Sequence, residues 1–290
     1  MMFEMTPCTE DEAKIIEEQA EKVFRAIAPP EPGAEEEEIH YKITDGEGNV
    51  IGGCTLETDE WETASLSRLW VDEPYRRQGI ASALIQETER EARARGCYLM
   101  LLGTFDWQAK PLYEKHGYTL IEATPDWPKG HTHYFFAKRL DREIKGYIPH
   151  KPCTYEIRRG DEETAKTLSA RFRQFDEAVA PREHAYIPIG RKVTDEDGRI
   201  IAGITGGLDG WNYMDLDAIW VDEPYRGKGI GSDLLCAFEQ EAKKNGADRM
   251  MVEPFDWNVS FFRKNGYEKV TSVLEDFPKG HTMYCMEKPL

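Results

Sequence analysis

Residues Trp220–Gly231 read Trp-Val-Asp-Glu-Pro-Tyr-Arg-Gly-Lys-Gly-Ile-Gly, and residues Trp70–Ala81 read Trp-Val-Asp-Glu-Pro-Tyr-Arg-Arg-Gln-Gly-Ile-Ala. The two copies lie 150 positions apart, and the same spacing relates Phe105-Asp106-Trp107 to Phe255-Asp256-Trp257. A period this long exceeds that of solenoid repeats, so each copy predicts a whole domain. We therefore expect two domains, over residues 1–145 and 152–290, with a Pro- and Gly-bearing linker at 142–152.

The composition of the 290-residue chain is typical of a soluble globular protein, with 40% hydrophobic and 31% charged residues. No apolar run approaches the roughly 20 residues that span a bilayer. The first ten residues do not resemble a secretion signal, so a cytoplasmic location without membrane partners is expected. Six scattered cysteines without a Cys-x-x-Cys pair favour reduced thiols over a disulfide framework, and no metal site is predicted.

The net charge of −17 bears on possible partners. Such a field repels the phosphates of nucleic acids and favours the approach of a cationic small molecule. An acidic, solvated surface that only aids solubility is the alternative interpretation. The sequence does not indicate whether the chain forms oligomers.

Around each copy of the motif the pattern predicts a strand, a turn, a helix and a second strand. Alternating residues favour strands at 63–71 and 213–221, which Pro74 and Pro224 end. Apolar residues then recur at every fourth position, which marks one face of a helix beginning just after the glycines. Further strands are expected at 97–102 and 249–253, in parallel pairing with the first strands.

The turn before each helix has the chemistry of an anion site. A helix N-terminus presents unpaired N–H groups, and glycines let a phosphate approach the backbone. A purely structural glycine turn is the alternative. The spacing does not fit a P-loop, because Lys228 is followed by Gly229, and the dinucleotide pattern fails because Ser232 stands at its third glycine position.

The motif, its helix, the strand after it and the segment Leu112–Tyr118 together resemble the GNAT superfamily of acetyl-CoA-dependent N-acetyltransferases. The resemblance covers nearly the whole chain, once per half. It implies an α/β fold of two tandem GNAT-like domains, each a mixed, splayed β-sheet flanked by helices. It also implies acetyl-CoA as cofactor and direct attack of a primary amine on the thioester. Together with the net charge, this favours a small, cationic acceptor.

Carried over from the family, the cofactor site uses the end of the first strand and the turn of each half. The strand backbone would pair with pantetheine at Leu69, Trp70, Val71, Ile219, Trp220 and Val221. The pyrophosphate would be held by Arg76, Arg77, Gln78, Gly79, Ile80 and Ala81, or by Arg226, Gly227, Lys228, Gly229, Ile230 and Gly231. Asn258 could bond the pantetheine arm.

The two halves differ at the positions that would move protons. Tyr113 matches the tyrosine that protonates the departing thiolate in the family, whereas Phe262 stands at that position in the second half. Asp215 and Asp217 are candidate bases on the second motif strand, where the first half has serines. We therefore expect the competent site in the first half, with Tyr113 as acid. The base is unassigned, and a water relayed by Glu57 or Glu62 is one candidate.

Purely structural roles remain open for several of these residues. Tyr113 could be a core tyrosine, Asp215 and Asp217 could face solvent, and His131 and His281 favour structural hydrogen bonds. Two other functions also remain open. The chain could be a degenerate CoA-binding module, or its acceptor could be a protein N-terminus or lysine.

Overall fold

The computed structural model describes residues 5–142 and 153–290, so the predicted linker beyond Arg142 lies outside the described residues. The chain divides into two compact units. We call them the C unit, formed by residues up to Pro29, Trp127–Lys129 and Arg182–Leu290, and the N unit, formed by Pro30–Asp126 and Gly130–Pro181. Each unit contains one copy of the motif.

The described residues contain six α-helices and fourteen strands. The helices are α1 Glu10–Ile27, α2 Ile80–Ala94, α3 Lys110–Lys115, α4 Glu162–Val179, α5 Ile230–Lys244 and α6 Val259–Lys264. The strands are β1 Met5–Pro7, β2 Glu37–Thr44, β3 Val50–Thr58, β4 Thr63–Val71, β5 Leu99–Phe105, β6 Thr119–Pro125, β7 Thr132–Arg139, β8 Arg158–Arg159, β9 Ile187–Thr194, β10 Ile200–Leu208, β11 Met214–Val221, β12 Arg249–Val252, β13 Lys269–Glu275 and β14 Thr282–Pro289. None of the helices in the described chain has the length and apolar character to cross a membrane.

The C unit is built on a seven-stranded sheet of order β1-β9-β10-β11-β12-β14-β13. Only β11 and β12 pair in parallel, and within the described residues they are joined at Met214 and Met250, near the start of both strands. The end of β11 at Val221 is therefore separated from β12, which opens a wedge in the sheet. This confirms the predicted mixed, splayed architecture for the second copy.

The N unit repeats the plan with a sheet of order β6-β7-β5-β4-β3-β2-β8. Its parallel pair joins Thr63–Ser65 of β4 to Leu99–Leu101 of β5. The predicted strand at 63–71 matches β4, and the predicted strand at 97–102 begins two residues later, at Leu99.

The first helix of each repeat packs on the sheet of the other repeat. Helix α1 lies against β9, β10 and β11 in the C unit, and α4 lies against β2, β3 and β4 in the N unit. The short strand before each of these helices also joins the sheet of the other repeat. Strand β1 pairs with β9, and β8 pairs with β2. The compact units are thus discontinuous in sequence and differ from the continuous domains, 1–145 and 152–290, that the sequence repeat predicts.

Glycines in the sheets make room for these helices. Ile16 of α1 is fully buried over Gly203, where an added Cβ would overlap its side chain. Leu168 of α4 is fully buried over Gly53, with its Cδ1 3.0 Å from the position of an added Cβ. Burying a leucine or isoleucine side chain is worth about 1.5–3 kcal/mol, so each helix is anchored by a specific contact with its sheet.

Candidate active site

The glycine turn of the C unit leads directly into α5. Gly227 has φ 73° and Gly229, the residue that caps α5, has φ 88°, a conformation that favours glycine. A Cβ added at either position would meet nothing within 4 Å, so the space over the turn is open. The unpaired N–H groups of the first helical turn lie at this opening, and they suit an anion.

Arg226 helps to fix the turn. Its Nε donates a hydrogen bond to the carbonyl of Val221 at 2.8 Å, and Arg76 does the same for Val71 at 2.9 Å in the N unit. Lys228 lies over the ring of Tyr225, 5.1 Å from its centroid. The first arginine of the motif therefore joins the end of the strand to the turn in both copies.

A cavity of about 910 Å³ opens at this turn in the C unit. Its wall contains most of the predicted C-unit cofactor residues, namely Ile219, Trp220, Val221, Arg226, Gly227, Gly229, Ile230, Gly231 and Asn258. Asp217 and Phe262 also lie in the wall, while Lys228 and Asp215, both described, lie outside it. The structure thus brings the strand end, the turn and Asn258 together.

One wall of the cavity was not predicted for this half. It consists of helix α1, which contributes Glu17, Ala20, Glu21, Val23 and Phe24. The ring of Phe24 packs edge-on against Phe255 and Trp257, at centroid distances of 5.2 and 5.5 Å. The sequence does not predict that this helix lies beside the second motif, because the pattern of an amphipathic helix does not encode which sheet receives it.

The carboxylates of β11 are shifted towards their protonated forms. Burial raises the pKa of Asp215 to about 7, and the charges of Asp209, Glu253 and Asp217 add to the effect. Partial burial also raises the pKa of Asp217, with a further contribution from Glu17. A carboxyl with a pKa near 7 is suited to accept a proton at neutral pH.

Asn258 has a local role as well as a place in the wall. Its Oδ1 accepts a hydrogen bond from the backbone N–H of Phe255 at 2.7 Å. In the N unit, Gln108 Oε1 accepts the same bond from Phe105 at 3.0 Å. The side chain at this position therefore shapes the turn after the central strand in both copies.

In the N unit the helix facing the motif strand has larger side chains. Thr9 and Asp161 are the N-cap residues of α1 and α4, so the two helices can be aligned with an offset of 152 residues. At this spacing Phe172 and Phe175 correspond to Ala20 and Val23. Both phenylalanine rings pack edge-on against Trp70, at centroid distances of 6.3 and 5.7 Å.

Further bonds fasten α4 over the N-unit motif. Arg171 forms an ion pair with Asp72 at 2.9 Å, and the guanidinium of Arg76 lies 5.9 Å from the centroid of Phe175. Asp176 is buried and accepts hydrogen bonds from Trp107 Nε1 at 3.0 Å and Gln108 Nε2 at 2.9 Å. Aromatic and charged side chains of α4 thus occupy the place where the C unit has its cavity wall.

The remaining N-unit cofactor candidates lie around the same turn. Trp70 Nε1 donates to Asp72, Gln78 accepts from the hydroxyl of Tyr155, and Gly79 caps α2 with φ 87°. Arg77 has φ 62°, where the C unit has Gly227. The others pack in or against the hydrophobic core, and they are Leu69, Val71, Ile80 and Ala81.

Tyr113, the predicted acid, belongs to the hydrophobic core of the N unit. It is 7% exposed and lies 6.1 Å from the ring of Tyr118 and 6.4 Å from that of Phe136. Burial raises the pKa of its hydroxyl above the ordinary value. Its counterpart Phe262 is also buried but lines the C-unit cavity.

The two glutamates considered for the first half have different surroundings. Glu57 accepts a hydrogen bond from Ser67 at 2.6 Å and lies 3.3 Å from the guanidinium of Arg68. Glu62 lies in the turn before β4, at the end of the strand remote from the motif. Neither glutamate is brought beside the N-unit turn.

His131 and His281 make equivalent contacts in the two copies. His131 Nδ1 lies 3.0 Å from Asp106, and His281 Nδ1 lies 3.2 Å from Asp256. Among the described residues, no group of three or more His, Cys, Asp or Glu side chains is arranged to hold a metal ion. The six cysteines are free thiols.

A mixed sheet that splays beside a glycine turn at a helix N-terminus is suited to hold a phosphate-bearing ligand. The chain belongs to the acetyltransferase (GNAT) family, whose model matches residues 7–118 and again residues 127–267. It is therefore an acetyltransferase with two copies of the family's fold.

Individual relatives match one half of the chain at a time. Blasticidin-S acetyltransferase of Streptomyces morookaense is 33% identical over 104 residues, which cover 36% of this chain and 76% of that protein. An acetyltransferase of Agrobacterium fabrum is 31% identical over 108 residues, covering 37% and 77%. The crystal structure of an acetyltransferase from Bacillus cereus has a TM-score of 0.42 with 35% identity, and covers 46% of this chain and 94% of that one.

Proposed function

We propose that the protein transfers acetyl from acetyl-CoA to a primary amine of a small, cationic acceptor, and that the C unit holds the working site. The observation that carries this proposal is the difference between the two units beside the motif. Ala20 and Val23 leave a cavity next to the C-unit strand and turn, whereas Phe172 and Phe175 pack on the strand in the N unit. This proposal places catalysis in the opposite half from the sequence expectation.

The C-unit residues fit the cofactor. The open turn at Gly227 and Gly229 would hold the pyrophosphate on backbone N–H groups, and the end of β11 at 219–221 would lie along the pantetheine arm. Acetyl-CoA held there would offer its thioester to the acceptor nitrogen. A C–N bond would form at the acetyl carbonyl carbon, and the C–S bond would break with CoA leaving as a thiolate. The new amide nitrogen would release its extra proton to solvent or to that thiolate.

The acceptor nitrogen must lose a proton before it can attack. We assign this proton to the pair Asp215 and Asp217, because Asp217 lines the cavity and Asp215 has a pKa of about 7. Phe262 donates no proton to the thiolate. Such a donor is not obligatory, since an alkyl thiol has a pKa of about 8.5 and leaves readily as its anion.

The charge of the cavity supports a cationic, small acceptor. Glu17, Glu21, Asp217 and Glu253 all lie in the wall. Carboxylates at this density attract a cation into the cleft. The relative from Streptomyces morookaense is named for acetylating a small molecule, blasticidin S, and this name supports the same class of acceptor.

The matched glycines Gly229 and Gly79 test which unit binds the cofactor. Both cap the helix after the motif, with φ of 88° and 87°, so valine strains both backbones equally. We expect native mass spectrometry to show one acetyl-CoA per wild-type chain, none with Gly229→Val and one with Gly79→Val. Melting temperatures of both variants report on folding.

Other outcomes separate the alternatives. Loss of binding in Gly79→Val alone would move the site to the N unit, and two bound molecules per chain would refute a single site. Binding of acetyl-CoA without release of CoA thiol on a panel of amines would support a degenerate binding module. Acetylation of peptides in preference to small polyamines would identify a protein acceptor.

A further inference from the structure

We propose that Tyr186, together with Asp217 and Glu17, binds a second cationic group of the acceptor, which is therefore a small molecule with at least two basic nitrogens. The inference rests on the proposed function, because it places the acceptor in the C-unit cleft. It goes further by assigning acceptor selectivity to one side chain.

The ring of Tyr186 lies directly on the sheet beside the carboxylates. A Cβ added to Gly207 would overlap the Tyr186 ring, so the ring rests on this glycine of β10. Gly207 pairs with Asp215 on the neighbouring strand β11. The corresponding position in the other repeat is Glu57, a side chain that would displace a ring from this place.

The negative charges of three carboxylates act on this ring. Partial burial raises the pKa of Tyr186 to about 12, and the negative charges of Asp217, Asp215 and Glu17 contribute to the shift. Asp217 and Glu17 line the cavity. A tyrosine face beside carboxylates is the arrangement that recognises an organic cation, through the ring quadrupole and charge together.

The segment that carries Tyr186 is held in place although the side chain itself is 54% exposed. His184 Nε2 lies 2.9 Å from Asn212 Oδ1, and Asn212 Nδ2 donates to Glu183 at 2.9 Å. Arg182 stacks over the ring of Trp211, 4.6 Å from its centroid. The exposed ring is therefore presented in a fixed position, which reduces the cost of ordering it on binding.

The test compares a diamine with a monoamine. CoA thiol release is followed with 1,4-diaminobutane and with butylamine as acceptors, for wild type, Tyr186→Ala and Tyr186→Phe. We expect Tyr186→Ala to raise the KM for the diamine about tenfold, the scale of one cation–π contact. The KM values for butylamine and for acetyl-CoA should stay unchanged, and Tyr186→Phe should resemble wild type.

Two variants guard against a structural explanation. Gly207→Ala keeps the tyrosine but pushes its ring from the sheet, so it should reproduce the effect of Tyr186→Ala. Val273→Ala removes an exposed side chain from β13 at the sheet edge and should change nothing. Equal KM changes for both amines in Tyr186→Ala, or no change for the diamine, would overturn the assignment.

Failure of the inference can be distinguished from failure of the proposed function. If wild type acetylates neither amine, calorimetry of 1,4-diaminobutane and of the triamine spermidine with CoA-saturated protein replaces the kinetic readout. About tenfold weaker binding to Tyr186→Ala would then support the cation site without acetyl transfer. Equal binding to both proteins, or none to wild type, would refute it.

Discussion

At the scale of single residues, the position of Asp215 lowers the stability of the folded protein at neutral pH and also makes this carboxylate able to accept a proton. A carboxyl whose pKa is raised to about 7 in the folded protein binds its proton more tightly than in the unfolded chain. The contribution of protonated Asp215 to the free energy of unfolding is complete below the unfolded pKa of about 4. It is lost as the pH rises to 7. At neutral pH the folded protein therefore carries a carboxylate that costs stability and is able to take up a proton.

Asp215→Asn is predicted to separate these two properties. Because amide nitrogen and oxygen cannot serve as the base, kcat/KM for the amine should fall about 100-fold or more, and its rise with pH through 7 should flatten. Because the buried charge is gone, the melting temperature at pH 8 should increase, and the gain should vanish near pH 4. Rate profiles and thermal melts between pH 4 and 9 measure both effects.

Asp248→Asn is the matched control, since the side chain of Asp248 is 85% exposed. It should leave the rate profile and the melts unchanged. An Asp215→Asn protein with wild-type rates at every pH would show that another group takes the proton.

At the scale of secondary structure elements, the sequence predicts the strand, turn and helix of each motif almost to the residue. Strand β4 and the starts of α2 and α5 follow from local rules of alternation, glycine and four-residue spacing. The openness of each cleft could not be predicted in this way. It depends on the size of side chains at 20, 23, 172 and 175, and their effect appears only when each helix is placed on its sheet.

Exchanging these side chains is predicted to close the C-unit cleft and to weaken the packing of the N unit. Ala20→Phe with Val23→Phe puts the N-unit aromatics on α1, so acetyl-CoA binding should be lost while the helix content is retained. The converse pair, Phe172→Ala with Phe175→Val, should keep one bound acetyl-CoA and lower the melting temperature, because aromatic packing on Trp70 is lost. Calorimetry and circular dichroism provide the readouts, and unchanged binding in the first pair would contradict the cleft assignment.

At the scale of the whole molecule, the repeats along the sequence and the compact units do not share boundaries. Residues up to Pro29 belong to the unit that contains β9 to β14. The exchange could not be predicted from the chain because α1 and α4 have similar lengths, caps and apolar faces, so either helix matches either sheet.

A fragment of residues 152–290 is predicted to be incomplete. It lacks α1, so the surface that receives Ile16 on Gly203 and the acidic wall of the cavity are both missing. We expect no acetyl-CoA binding by this fragment and recovery when residues 1–29 are added as a peptide. Native mass spectrometry checks both mixtures, and tight binding by the fragment alone would contradict the role of α1.

The contact between Ile16 and Gly203 also orders events in time. During synthesis α1 leaves the ribosome well before strands β9 to β14, which form the sheet that covers its apolar face. Contacts of such sequence separation form slowly and leave hydrophobic surface uncovered meanwhile. The unit that we propose to be catalytic is therefore completed later in synthesis than the N unit, although its first helix is made before any strand of the N unit.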